Sequence, residues 1–164
     1  MPAITVSTTI ALPREQVFEY LADIANHAEF TDHYLVDWHL TRENPYGAGA
    51  GARFRIKAPL TRFSWADITF AEFERPSRIV ERGRGGKFNR VRMLGTYTLS
   101  PGSGEDTKVQ YTLDTEPVML SDKLRETFGG RVWSRRQAAK ALRRLRTILE
   151  DGRGRGRRVT VGGR

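Results

Sequence analysis

The apolar positions of the first thirty residues follow a two-residue repeat and then a helical one. Residues 4–10, which are rich in Ile and Thr, are typical of a β-strand. Pro13 suits the first turn of a helix, and apolar residues at helical spacing continue from there to about Asp23. A second short helix is predicted over about residues 25–31. The chain is therefore expected to begin with one strand and two short helices.

From Tyr34 onward, apolar and polar residues alternate with a period of two, as they do in strands with one buried face. Short turns rich in Gly, Pro and Asn separate these strands, which indicates an antiparallel meander. A shift in the alternation between Trp65 and Phe73 predicts a β-bulge. The predicted strands lie at residues 36–40, 53–58, 62–74, 78–84, 93–99 and 109–113.

The C-terminal part of the chain returns to a helical repeat. Residues 122–150 carry one apolar stripe and predict a long helix, which Ser121 or Asp122 can cap. The pair Gly129-Gly130 interrupts this pattern and marks a bend or a break. Residues 151–164 contain too much glycine and charge to fold alone, so they are predicted to form a disordered basic tail.

This order of elements predicts an α+β fold. A single antiparallel sheet has to cover its apolar face, and the C-terminal helix is long enough to do so. We therefore expect a curved antiparallel sheet of six or seven strands wrapped around that helix, with two short helices after the first strand. Because side chains alone do not fill the space inside a strongly curved sheet, a cavity between sheet and helix is also expected.

Four local motifs occur in the order found in a known superfamily. They lie at residues 10–23, 47–51, 73–80 and 95–109, and comprise a Pro–aromatic–Leu-x-Asp opening, a glycine-rich loop, a strand–Pro–strand joint and the last hairpin. With these motifs the chain resembles the START/Bet v1-like (SRPBCC) helix-grip superfamily, in particular its bacterial polyketide cyclase/dehydrase and lipid-transport group. The resemblance covers residues 1–150 as one ligand-binding domain. It implies a hydrophobic or amphiphilic ligand, such as a lipid or a polyketide-like molecule.

Composition excludes several classes of site. The chain has no cysteine, which excludes disulfide scaffolds, zinc knuckles, iron–sulfur clusters and thiol nucleophiles. The net charge of +9 divides into −1 for residues 1–130 and +10 for residues 131–164. Since the body is neutral, the basic character indicates either a solubilising tail or a nonspecific contact of residues 131–164 with nucleic acid, ribosome or anionic membrane.

No other motif points to a cofactor. The glycine-rich loop leads into a strand, whereas phosphate-binding loops open a helix. The six-residue spacing of His27, His33 and His39 places no two of them on one helical face, so no metal-ligand set is predicted. We find no Gly-x-Ser-x-Gly nucleophile motif. No stretch reaches the ~20 apolar residues of a membrane span, and the N-terminus is a poor signal peptide, so a cytoplasmic location is expected.

Aromatic residues provide the predicted ligand site. The residues expected on the concave face of the sheet or on the helix that covers it are Trp38, Phe54, Phe63, Trp65, Met93, Tyr97, Tyr111, Phe128 and Trp133. Asp67 and Arg82 are polar residues that are also candidates for the inner face. In cyclase relatives a pocket arginine or tyrosine polarises the substrate, which makes Tyr97 and Arg82 the catalytic candidates that the resemblance implies.

Three functions remain open at this stage. The first is a carrier or sequestering protein that binds a hydrophobic small molecule in the cavity. The second is a polyketide cyclase/aromatase or dehydrase-type enzyme. The third is a contact of the basic helix and tail with a polyanion. The sequence leaves the oligomeric state open between monomer and homodimer.

Overall fold

The computed structural model describes residues 2–59, 64–117, 129–155 and 158–163. Within these ranges the chain forms seven strands and three α-helices. In chain order these are β1 (Ile4–Ile10), α1 (Arg14–Leu21), α2 (His27–Thr31), β2 (Leu35–Leu40), β3 (Gly51–Ile56), β4 (Trp65–Glu74), β5 (Arg78–Gly85), β6 (Val91–Pro101), β7 (Thr107–Pro117) and α3 (Arg131–Asp151).

The seven strands form one antiparallel sheet in the order β1-β7-β6-β5-β4-β3-β2. Neighbours from β2 to β7 are also consecutive in sequence, because each strand is joined to the next by a short connection that reverses the chain. The sheet curls around α3, and the two short helices follow the first strand. The predicted α+β helix-grip architecture is confirmed.

Helix α3 covers the concave face with a stripe of small and branched apolar residues. Its buried side chains recur at helical spacing: Ala138, Ala141, Leu142, Leu145 and Ile148. The alanines let the helix approach β1 and α2 closely, while the leucines fill the core between them. The helix therefore forms one wall of the interior.

Polar contacts fix the position of α3. The guanidinium of Arg144 lies 2.6 Å from the Asp32 carboxylate and donates to the Glu29 carbonyl oxygen at 3.1 Å. Near the C-terminal end of the helix, Glu150 accepts a hydrogen bond from the Ala11 N–H at 2.8 Å. These contacts tie the C-terminal half of α3 to α2 and to the segment after β1.

Two irregularities bend the sheet. The register of β4 against β5 shifts between Phe70 and Glu72, inside the interval where the sequence predicts a bulge. A second shift lies between Val36 and His39 in β2, where Asp37 adopts a φ of 54°. The alternation of the sequence continues through that segment, so the periodicity did not indicate it.

The C-terminal region differs from the sequence prediction at both ends of the helix. The described helix begins at Arg131, directly after the two glycines, and Gly129 has a φ of 93° that no α-helical residue adopts. The predicted helix start near Ser121 or Asp122 lies outside the described residues. The described helix therefore begins only after the glycine pair.

Residues 158–163 depart from the disordered tail that composition predicts. Val159 is 3% exposed and belongs to the hydrophobic core. The carbonyl oxygen of Thr160 accepts a hydrogen bond from the Leu40 N–H at 3.0 Å, and Arg158 lies 2.5 Å from the Asp23 carboxylate. This tail segment lies along the edge strand β2 and covers part of its unpaired backbone.

Candidate ligand cavity

A cavity of about 110 Å³ lies between the inner face of the sheet and α3 and is partly open to the surface. Its walls are mainly apolar and aromatic, with a polar group at one end. For comparison, an apolar cavity of roughly 150 Å³ admits a benzene ring. The space thus has the scale of a single ring, and a larger ligand would require the surrounding side chains to move outward.

Six of the residues predicted to contact a ligand border this cavity: Trp38, Phe54, Met93, Tyr97, Tyr111 and Trp133. They come from five strands or helices, and the curvature of the sheet brings them together. Two further predicted residues, Phe63 and Phe128, lie outside the described residues. That the six bind a ligand stays a prediction.

The structure places Trp65, Asp67 and Arg82 away from the cavity. Trp65 is 38% exposed, and the Arg53 guanidinium lies 5.0 Å from the centroid of its ring. Asp67 pairs with Arg53, and Arg82 pairs with Glu72 at 3.1 Å. The reason is the alternation of the strands, because the neighbours of these three residues face inward and their own side chains face outward.

Glu81 occupies the inward position that the sequence analysis considered for Arg82. Its side chain is 7% exposed, crosses over Gly95 on the neighbouring strand and accepts a hydrogen bond from the Tyr111 hydroxyl at 2.8 Å. A Cβ at Gly95 would overlap with the Glu81 carboxyl group, so the glycine leaves room for this path. The second carboxyl oxygen, Oε2, has no hydrogen-bond partner among the described residues.

Burial shifts the protonation equilibria at this end of the cavity. It raises the pKa of Glu81 to about 7, although the hydrogen bond from Tyr111 opposes the shift. Burial also raises the pKa of Tyr34, Tyr97 and Tyr111, so these phenols keep their protons at neutral pH. The polar end therefore combines hydroxyl donors with a carboxyl group that titrates near neutrality.

His27, which no pattern in the sequence assigns to the ligand site, lines the cavity. Its Nε2 lies 2.8 Å from the Leu21 carbonyl oxygen, which can only accept, so Nε2 carries the proton. Burial lowers the pKa of His27 to about 4, and the ring is neutral at pH 7. Its ring packs edge-on against Tyr97, with ring centroids 5.5 Å apart.

Neither Glu81 nor His27 belongs to a local sequence pattern that indicates a position in the cavity. Glu81 lies between Val80 and Arg82 in a strand whose inner face also holds two glycines, so apolar alternation could not reveal its phase. Tyr34, which also lines the cavity, directly precedes β2 at the start of the alternating segment. Within the described ranges, no three His, Asp or Glu side chains come close enough to hold a metal ion together.

Known structures share this architecture at low sequence identity. DynU16, a protein of the dynemicin biosynthetic locus, matches with a TM-score of 0.63 and 19% identity over 94% of this chain, which spans 49% of DynU16. Truncated norcoclaurine synthase from Thalictrum flavum matches with a TM-score of 0.69 and 8% identity, covering 92% of this chain and 94% of the synthase. Major latex-like protein 151 from Panax ginseng matches with a TM-score of 0.65 and 13% identity, covering 89% of this chain and 95% of the latex-like protein.

A comparison with curated protein sequences gives no significant match. None of the helices in the described ranges is long and apolar enough to cross a membrane.

The family comparison covers nearly the whole chain: residues 1–150 match the model described as polyketide cyclase / dehydrase and lipid transport. Together with the helix-grip fold and its apolar cavity, this match shows that the chain belongs to the polyketide cyclase/dehydrase and lipid-transport family.

Proposed function

We propose that the protein reversibly binds a small hydrophobic molecule that carries a carbonyl or hydroxyl oxygen, and acts as its carrier or sequestering protein. The observation that carries this proposal is the cavity itself, which joins aromatic walls to a polar end. Carriers need an enclosed apolar site with few polar groups that fix the orientation of the ligand. The family membership supports a ligand of this kind.

The aromatic walls supply the affinity in this proposal. Trp38 and Phe54 stack with ring centroids 4.6 Å apart, and Trp133 lies across the cavity on α3. Transfer of a phenyl-sized group from water to such surroundings contributes about 1.5–3 kcal/mol. A planar ligand of one ring is therefore the expected size and shape.

In this proposal, the tyrosines make the cavity prefer a ligand that carries an oxygen atom. Tyr34 and Tyr97 line the cavity, and no described residue forms a hydrogen bond with either hydroxyl group. A ligand oxygen at this end would accept hydrogen bonds from phenols that no other described group engages. Polar groups that bind a ligand oxygen in this way penalise an analogue without it.

A matched pair of compounds tests the proposal. 4-Phenylbutan-2-one and butylbenzene share a carbon skeleton and differ in the carbonyl oxygen. Calorimetric titration is expected to show one site per chain for the ketone, and weaker binding of the hydrocarbon. Absence of saturable binding of both compounds would contradict the proposal.

A cavity-filling variant locates the site. Ala138 lies on the cavity wall, and Ala138→Leu extends a side chain into the space while it keeps a good helix former. It is expected to weaken ketone binding at least tenfold. Val132, 55% exposed on the same helix, provides the matched control Val132→Leu, which is expected to bind like the wild type.

A second candidate function is catalysis of the cyclase or dehydrase type. The buried Glu81 carboxyl group favours it, because a carrier has no need for a titrating group in its binding site. The two functions differ in the fate of the ligand, which a carrier returns unchanged. The predicted contact of residues 131–164 with a polyanion stays a prediction.

A further inference from the structure

The two oxygens of the Glu81 carboxyl group have different surroundings. Oε1 accepts the hydrogen bond from Tyr111, whereas Oε2 is buried and has no partner among the described residues. A buried polar atom without a partner costs about 1–3 kcal/mol, so native structures rarely keep one without a functional reason. The unpartnered oxygen distinguishes Glu81 from a structural carboxylate, whose oxygens are satisfied by the protein.

The groups around Glu81 do not neutralise it. The cavity residues grouped around Glu81 include Tyr34 from the segment before β2, Gly95 and Tyr97 from β6, Tyr111 from β7, and His27 from α2. All of them are neutral at pH 7, and no described lining residue is a lysine or an arginine. An ion pair therefore does not explain the burial of this carboxyl group within the described part of the chain.

The room around Glu81 is also particular. Gly95 lies directly opposite it in the β5–β6 register, and Gly83 follows it on the inner face of β5. A Cβ at Gly95 would overlap with the Glu81 carboxyl group, so only glycine lets the carboxyl group lie across β6 at this point. Glu81 and both glycines line the cavity of about 110 Å³.

We propose that Glu81 is the general base of this cavity, and that it removes a proton from the carbon next to the carbonyl group of a bound monocyclic ketone. The inference rests on the proposed binding of such a ligand. Tyr97 and Tyr34 supply the second requirement of this reaction, since their hydroxyl groups have no hydrogen-bond partner among the described residues and can donate to the oxygen on which negative charge develops.

The proposed step is balanced without a co-reactant. The carboxylate of Glu81 takes the α-proton, the electron pair of the broken C–H bond forms the C=C bond of an enolate, and the carbonyl oxygen becomes the enolate oxygen. The carboxyl proton then exchanges with solvent, and the carboxyl group donates a solvent-derived proton to the same carbon, or returns the original proton to a conjugated one. The first outcome exchanges hydrogen with solvent and the second isomerises the ligand.

Hydrogen exchange tests the step with the probe 4-phenylbutan-2-one. In D₂O, proton NMR follows the loss of its α-proton signals, with the signals of the phenyl ring as internal standard. The wild-type protein is expected to exchange the α-protons at least 100-fold faster than Glu81→Gln, in line with the usual contribution of a general base. The rate is expected to rise with pH through about 7, as the carboxyl group ionises.

Two further variants separate a chemical role from a structural one. Tyr111→Phe removes the hydrogen bond that lowers the pKa of Glu81, so the midpoint of its pH–rate profile is expected to move to higher pH. Glu72→Gln on the outer face is the matched control and is expected to exchange like the wild type. The binding of the ketone is measured for each variant, so that loss of exchange is separated from loss of affinity.

The outcomes distinguish the two proposals. If the ketone binds and its α-protons exchange no faster than in buffer, or equally fast with Glu81→Gln, the inference is overturned while the proposed binding function stands. If the ketone does not bind to the folded wild-type protein, the proposed function fails as well. Fast exchange that depends on Glu81 and follows the Tyr111→Phe shift supports the inference and the proposed binding of the ketone, and favours catalysis over the carrier role.

Discussion

Replacing Glu81 with glutamine changes how the stability of the protein depends on pH. In the folded protein, burial raises the pKa of Glu81 to about 7 from the ordinary value of 4.5. Between these two values the folded state binds more protons than the unfolded state, so the free energy of unfolding falls as pH rises. The contribution is fully present below pH 4.5 and is lost as pH rises through 7.

The size of the effect follows from the shift. One pKa unit corresponds to about 1.4 kcal/mol, so a carboxyl group with these two values contributes a loss of about 2–3 kcal/mol between pH 5 and pH 8. His27 acts in the opposite direction, because its pKa is lowered to about 4 and its contribution is lost as pH falls below about 6.5. The two effects overlap between about pH 4.5 and 6.5, which makes the wild-type profile shallow there.

A comparison of variants isolates Glu81. Urea denaturation of the wild type and Glu81→Gln at pH 5, 6, 7 and 8 gives two free energies of unfolding at each pH, and the contribution of His27 cancels in their difference. This difference is expected to move by about 2–3 kcal/mol in favour of the glutamine variant across the range. The buried amide adds an offset that does not change with pH.

Parallel curves for the two proteins would refute the reasoning, because they would mean that Glu81 has the same pKa folded and unfolded. Glu72→Gln, which changes a carboxylate on the outer face, is the control and is expected to follow the wild-type slope.

Three further substitutions test the packing. Leu145→Ala on α3 removes a fully buried side chain and is expected to cost about 2–5 kcal/mol in urea denaturation, whereas a cost below 1 kcal/mol would contradict the core position of this helix. Gly95→Ala displaces the Glu81 side chain, so it is expected to lower the free energy of unfolding by about 1–3 kcal/mol and to abolish the hydrogen bond between Glu81 and Tyr111. An unchanged titration of Glu81 in carbon-13 NMR would argue against the overlap between Glu81 and a Cβ at position 95. Val159→Ser is expected to lower the melting temperature, because it places a polar side chain in the core. The control Val161→Ser, at a position that is 55% exposed, is expected to leave the melting temperature unchanged. Equal melting temperatures for both variants would show that the tail segment is not docked.

The architecture was predictable because it depends on repeated patterns. Six strands with a period of two and one long apolar stripe leave few ways to cover the sheet, and the motifs around Pro13 and Pro76 narrowed the choice further. Several aromatic residues of the cavity were predictable from the same two-residue period of the strands. Tyr97 and Tyr111 alternate in phase with the apolar residues of their strands, and the register pairs them across β6 and β7.

The residues at the polar end of the cavity were harder to predict from the sequence. The inner face of β5 carries Ile79, Glu81 and Gly83, so no run of apolar residues marks which side faces inward. The sequence therefore leaves Arg82 as a candidate for the inner face in place of its neighbour Glu81. The docked tail escaped prediction for a different reason. Val159 contributes to the core through a contact between distant parts of the chain, and local composition does not encode such a pairing.

The most direct test of the ligand cavity is an intermolecular NOE experiment on the protein with methyl-labelled Ile, Met, Leu and Val in the presence of saturating 4-phenylbutan-2-one. The cavity is lined by methyl groups of Ile56, Ile68 and Met93, which come from three separate strands. We expect NOEs from the phenyl protons to all three methyl groups, and none to the exposed Val132. NOEs confined to Val132 or other surface methyl groups, or their absence from all three cavity residues at saturation, would contradict the account.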